Sequence, residues 1–301
     1  MTETGSEYFT APRRVGVLIW SQRRTSCNKV WLVLATLAAI GVATGARASA
    51  LSEHPLVWLF AGSGVSRLAS APGGRALLAG PLNHRDTWVF GKSRFTPKNA
   101  TRLAGAPSLS IFRHAIRQPV SGVLLDLEHW PMTPARQQIH PIATYVRAAA
   151  IARAHGVLMI ATPAFDLVRA TRPHYRGRIY PEFLRLALAG RIAPYVDVYE
   201  IQAQGAENNP AAYRSLVRAV ARQVHASNPA AMILAGLSTG PSGQRTTSEI
   251  LYRDVQLTRT IVSGYWLNIP GHGAACPRCT GPRPAVAIKL LKVLAYPQTL
   301  P

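Results

Sequence analysis

Eight short apolar runs recur along the chain after residue 50. In the first half they are Leu56–Ala61, Thr87–Gly91, Leu109–Arg113 and Gly122–Glu128. The second half has Val157–Thr162, Val196–Gln204, Met232–Ser238 and Gly264–Ile269. They are continuously apolar rather than alternating, the pattern of parallel strands covered on both faces. Stretches of helical spacing lie between them. In Pro210–Ser227, Tyr213, Leu216, Val217, Val220 and Val224 share one face, and Arg214, Arg218 and Arg222 line another. Proline stands at its start, where a helix tolerates it. Pro141–His155, Pro181–Ala189, Thr247–Ile261 and Pro284–Leu294 predict helices in the same way. Gly and Pro interrupt Gly62–Pro107, so only short or irregular helices are expected there. Eight strands with interleaved helices in ~250 residues predict an α/β fold, a single (β/α)8 TIM barrel over residues 51–301. A doubly wound open sheet is the alternative, but no G-x-G-x-x-G or Walker pattern follows any run.

The first fifty residues read as an export leader. Arg13, Arg14, Arg23, Arg24 and Lys29 precede the apolar stretch Val30–Val42. Ala48-Ser49-Ala50 then supplies a small-residue cleavage pattern, with cleavage expected after Ala50. The order is that of a Sec-type secretory signal peptide. Arg23-Arg24 lacks the apolar pair that usually follows a twin-arginine signal. An uncleaved anchor is the other reading, but the apolar run is short of the ~20 residues of a membrane span. The expected location is secreted, or membrane-anchored if the leader is retained.

The chain carries 34 Lys+Arg against 13 Asp+Glu, a formal charge of +21. The leader holds six basic and two acidic residues, so 28 and 11 remain, a charge of +17. Such a balance raises the question of a polyanionic partner. The arginines are dispersed along the whole chain, however, and no helix-turn-helix or aromatic-basic stacking motif appears. Nucleic acid is therefore not the expected partner. Beyond the leader two cysteines remain, Cys276 and Cys279, in C-x-x-C spacing. With no second pair to complete a zinc site, a local disulfide in an oxidising compartment is expected. No cofactor and no metal are expected.

In a barrel of this kind, chemistry sits at the carboxyl ends of the strands. The fourth run ends Leu124-Leu125-Asp126-Leu127-Glu128-His129-Trp130. Alternation places Asp126 and Glu128 on one face at the mouth. Buried carboxyls are costly unless paired or functional. Two close carboxyls push each other to retain a proton, and a protonated Glu128 can serve as general acid with Asp126 assisting. In the sixth run Glu200, Gln202 and Gln204 share the inward face, and Tyr199, Ile201 and Ala203 face the helices. The amides suit hydrogen bonds to hydroxyl or acetamido groups. Trp266 and Asn268 share a face of the eighth run, and an aromatic ring at the mouth can stack on a sugar. Asp166 follows the fifth run and Trp130 the fourth. The expected substrate contacts are thus Gln202, Gln204, Trp266, Asn268, Trp130, Glu200 and Asp166. His129, Tyr175, Ser238 and the polar loop Gly205–Asn209 are further candidates for the rim.

Ser121–Glu128 (SGVLLDLE) resembles the fourth-strand signature D-G-x-D-x-D-x-E of family-18 glycoside hydrolases, the chitinase-like group. Glu128 falls on the family's catalytic acid, Asp126 on its assisting aspartate, and Gly122 matches. Ser121 and Leu124 stand where the family has its first two aspartates. Leu158–Pro163 is similar to the family's fifth strand and Val196–Asn208 to its sixth, with Gln202 and Gln204 where plant-type members carry Gln and Tyr. Trp266 stands at the family's eighth-strand tryptophan. The resemblance spans roughly residues 120–270 and implies substrate-assisted hydrolysis of a β-linked, N-acetylated polysaccharide, an exception to the usual two-carboxylate scheme. In that scheme Gln202 or Gln204 replaces the tyrosine. The alternative is a non-catalytic barrel that binds a glycan or cell-envelope polymer. Retention of both acids favours the enzyme, because a pure binder has no need of a buried acid pair.

Overall fold

A computed structural model describes residues 55–273 and 276–295. The leader expected over residues 1–50 lies outside the described residues. Among the described residues, eight strands form one closed parallel barrel in sequential order. They are β1 (Val57–Ala61), β2 (Thr87–Phe90), β3 (Thr101–Ala106), β4 (Gly122–Leu127), β5 (Leu158–Pro163), β6 (Val198–Ile201), β7 (Met232–Ser238) and β8 (Gly264–Asn268). The ring closes where Val57, Trp58 and Leu59 of β1 pair with Gly264, Tyr265 and Trp266 of β8. The expected α/β barrel is therefore present.

Closure explains the continuous apolar runs. Successive side chains of each strand point alternately into the barrel and out to the helices. Leu59, Leu103, Leu124, Ile160, Val198 and Leu234, with Trp88 and Trp266, pack together inside. The intervening residues, such as Phe60, Val123, Leu125, Ala161, Tyr199 and Ile233, pack outward against the helices. Both sets are apolar, so alternation is erased from the sequence.

Most helices stand where spacing placed them. Pro141–His155 and Pro210–Ser227 have the expected bounds, and the second is capped by Asn209, whose side chain accepts from the Ala212 N–H. Thr247 is the N-cap of the helix Ser248–Thr258 rather than part of it. The helix expected over Pro181–Ala189 is broken in two, Ile179–Arg185 and Leu188–Ile192, with Ala187 between them in left-handed backbone. In the Gly/Pro-interrupted region, helices Gly62–Ala69 and Gly74–Ala79 connect β1 to β2, and no helix lies between β2 and β3.

One strand differs from expectation. Leu109–Arg113 is not a strand but the start of a helix, Leu109–Ala115. Ser108 caps it by accepting from the Ile111 N–H, and Leu109, Phe112 and Ala115 are buried at helical spacing. Ile111, which a strand would share with Leu109 on one face, is instead 47% exposed. Five residues are too few to separate a period of 2 from one of 3.6. The true β3 is Thr101–Ala106, whose small residues hide it. Leu103 is its one large apolar side chain, and Gly105 leaves room inside the barrel for the ring of Phe90.

Inside the barrel, Leu124→Ala should cost about 2–5 kcal/mol of unfolding free energy, because the surrounding ring cannot collapse onto the gap. Ile111→Ala, on the exposed helix face, should stay within about 0.5 kcal/mol. Urea unfolding of the two variants checks the contrast.

Candidate functional site

The strands end at a cavity of about 560 Å³ in the barrel mouth. Asp126 and Glu128 line it, as do Gln202, Gln204, Trp130, Asp166, Trp266 and Asn268. Of the expected catalytic, substrate-contact and disulfide residues, only Glu200 and Cys279 are not on its wall; of the further rim candidates, Ser238 and Gly205 are on it and His129 is not. The grouping follows from β4 and its neighbours. Asp126 pairs in register with Thr162 of β5, which puts the Thr162 hydroxyl on the Asp126 carboxyl. That hydroxyl donates to Asp126 Oδ1 at 2.9 Å. Gln202, just past the end of β6, donates through Nε2 to the same oxygen at 2.8 Å and to the Thr162 carbonyl at 3.0 Å. Oδ1 is thereby held by two donors, and Oδ2 is left to the cavity.

Burial governs the protonation of this group. Desolvation raises the Asp126 carboxyl to about 7, against the pull of Thr162 and Gln202. Desolvation, with the charges of Asp126 and Asp166, raises Glu128 to about 9. Glu200 lies one pleat deeper on β6, fully buried, with neither carboxyl oxygen hydrogen-bonded. Burial and then the charges of Asp126 and Glu128 push it well above the usual carboxylate range. Three acids thus share the barrel axis, and a neutral form answers the cost of placing them there.

Several expectations need correction in position. β6 ends at Ile201, so Gln204 is not on the strand but on a 3-10 turn, Ala203–Ala206. Its amide still reaches the mouth because it lies over Gly236 of β7, where any Cβ would stand 2.5 Å from the amide. Trp266 is not a free platform. It is 6% exposed, and it meets Phe90 edge-on with ring centres 5.4 Å apart. Glu207 of the polar loop is not at the rim but buried, where Oε2 accepts from the Ser238 N–H at 2.8 Å. Tyr175 is not on the cavity wall either; its hydroxyl donates to the Arg178 carbonyl. Cys276 and Cys279 form the expected disulfide, with Cys276 on the cavity wall and Cys279 buried.

Other contributors were not visible in the sequence. Thr133 and Gln138 knit the loop after β4. The Trp130 indole donates to Thr133 Oγ1 at 2.8 Å, and that hydroxyl donates to the Pro107 carbonyl. Gln138 Nε2 donates to the carbonyls of Trp130 and Thr133. Asp166 Oδ1 accepts from the His129 N–H at 3.0 Å, tying the loop after β4 to that after β5. Phe90, Phe165, Tyr180 and Arg67 also line the cavity. Only Phe90 carried a signal, since alternation from Trp88 points it inward.

The chain matches no protein-family model and no curated protein. Among solved structures it is similar to a GH18 chitinase from Pseudoalteromonas aurantia, at 12% identity and a TM-score of 0.36, over 58% of this chain and 69% of that one. It is also similar to a sugar phosphate isomerase/epimerase from Parabacteroides distasonis, at 12% identity and a TM-score of 0.41, over 81% and 95%. Likenesses this distant concern the fold alone and say nothing about the site.

The buried acids set a pH dependence of stability. Asp126, Glu128, Glu200, Glu207 and Asp254 all hold their protons to higher pH when folded than in the unfolded chain. Above the ordinary carboxylate range of about 4 the unfolded chain has released these protons and the folded chain has not. Stability is therefore greatest below that range and falls as pH rises through the folded values, about 7 for Asp126, about 8 for Asp254 and about 9 for Glu128. Calorimetry should show Tm declining from about pH 5 to about pH 9, and Glu200→Gln should flatten the decline.

Proposed function

We propose that the chain is an exported glycoside hydrolase acting on a β-linked, N-acetylated polysaccharide, with Glu128 as general acid and base and Asp126 assisting. The observation that carries the reading is the pair itself. Two carboxyls share the mouth of the barrel, one with an oxygen fixed by Thr162 and Gln202, the other held protonated above neutral pH. Pushing two carboxyls to different protonation states is how one site supplies both an acid and a base.

The geometry gives each group a task. Glu128 donates its proton to the glycosidic oxygen as the bond to the anomeric carbon breaks. The substrate's acetamido oxygen bonds to that carbon from the other side, so no enzyme nucleophile is required. Asp126, ionised and anchored through Oδ1, offers Oδ2 to the acetamido N–H and turns its carbonyl oxygen toward the anomeric carbon. Glu128, now a carboxylate, takes a proton from water as that water opens the cyclic intermediate. Both donors of the Gln202 amide are engaged by Asp126 and the Thr162 carbonyl. Gln204 is the amide left to hydrogen-bond the acetamido oxygen, since its side chain lies on the cavity wall over Gly236. Trp266 and Phe90 supply the aromatic floor.

Purified protein lacking residues 1–50 should hydrolyse N-acetylglucosamine polymers, and Glu128→Gln should lower kcat by about 10²–10⁴-fold. Turnover that survives this change sinks the mechanism, and saturable binding without turnover in the parent points to the glycan-binding alternative. Activity requires Asp126 ionised and Glu128 protonated together. The profile of kcat/KM should therefore be a bell with limbs near 7 and 9, values that belong to the coupled pair. Asp126→Asn should remove the acid limb while lowering the maximum.

A further inference from the structure

We propose that the cavity carries an anion subsite at Arg67, opposite the acid pair, which selects glycans bearing a carboxylate. The inference rests on the glycan-binding reading above and names the substrate class within it.

Arg67 lies on the helix Gly62–Ala69, which follows β1 directly, and its side chain lines the mouth cavity. In a closed ring of eight strands, β1 stands across the axis from β4 and β5. Arg67 is therefore on the far wall from Asp126 and Glu128. Phe90 and Trp266 form the floor between them. A chain of sugars laid over that floor would reach both walls.

The guanidinium is held in place without being neutralised. One amino group, Nη1, donates to the backbone carbonyl of Ile269, just past β8. The group also lies close against Gly271, where a Cβ would stand 2.8 Å from Nη2 and 3.0 Å from the guanidinium carbon, so glycine leaves this seat open. No carboxylate among the described residues pairs with Arg67. By contrast, Arg172 and Arg185 both reach Glu182, the latter in two hydrogen bonds. A guanidinium presents five donors in a planar fork, and the carbonyl takes one. The remaining donors match two oxygens of a carboxylate, and their fixed position favours a bidentate contact. A neutral hydroxyl offers this fork no charge and only one oxygen.

The test uses the Glu128→Gln protein, so that ligands persist during calorimetric titration. The ligands are a β-linked N-acetylglucosamine oligomer and an oligomer of equal length with a carboxylate-bearing ether on alternate rings. The carboxylated oligomer should bind about tenfold more tightly, the scale of one charge-assisted contact. That ratio should fall to near one in Arg67→Gln and be partly kept in Arg67→Lys. It should also shrink between about 0.05 and 0.5 M salt in the Arg67 protein itself, a measurement that needs no folded variant. Equal affinity for the two ligands at low salt overturns the proposal, as does a preference that survives Arg67→Gln. A sulfated oligomer bound as tightly as the carboxylated one overturns the assignment to carboxylate. Parallel hydrolysis assays on both oligomers with Glu128 intact separate the two readings. Preference without turnover fells the glycosidase and leaves the subsite, whereas turnover without preference does the reverse.

Discussion

Everything at the mouth depends on the pairing of β8 with β1. That contact removes the last free strand edges and makes an inside that water reaches only from the ends. Leu59, Leu124, Ile160, Val198 and Leu234 then fill the interior. Whatever polar group a strand points inward above them is raised out of water yet remains at the end of a cavity. Asp126 and Glu200 occupy such positions, with Glu128 at the rim above, and their retained protons follow first from that burial and then from the charges they exert on one another.

The same closure sorts the charges. The described residues include 28 Lys and Arg but 10 Asp and Glu. Half of those acids, namely Asp126, Glu128, Glu200, Glu207 and Asp254, are drawn into the barrel or beneath its helices and favour the neutral form. The exterior is therefore more cationic near neutral pH than the formal charge states. Many cations lie on exposed helix faces, as Arg214, Arg218 and Arg222 do. Arg67 differs because it faces the cavity, where a backbone carbonyl tethers its guanidinium. A basic composition thus becomes specific at one side chain.

Seven of the eight strands were legible because closure demands apolar residues on both faces, and that demand leaves long runs. β3 escaped because its inward positions are Leu103 and a glycine beneath Phe90, and a run of small residues carries no period. Leu109–Arg113 imitated a strand because its buried helical stripe, Leu109 and Phe112, falls within five residues. At the site, Asp126, Glu128 and Gln202 were legible through alternation near strand ends. Tyr180 and Arg67, which reach the mouth from helices, were not, nor were Thr133 and Gln138, which hold the loop after β4. No local period reports the direction of such a side chain.

By itself the sequence determined seven of the strands, the run whose end carries two acids, and the disulfide. These are local properties: spacing along one strand decides which residues share its face, and two cysteines three apart can only close a small loop. Tertiary structure alone decided that Thr162 and Gln202 clasp one oxygen of Asp126, that Gln204 leaves the strand and rests on Gly236, and that Arg67 faces the acids across the mouth. Each of those contacts joins residues far apart in the chain, and ring closure is what sets their distance.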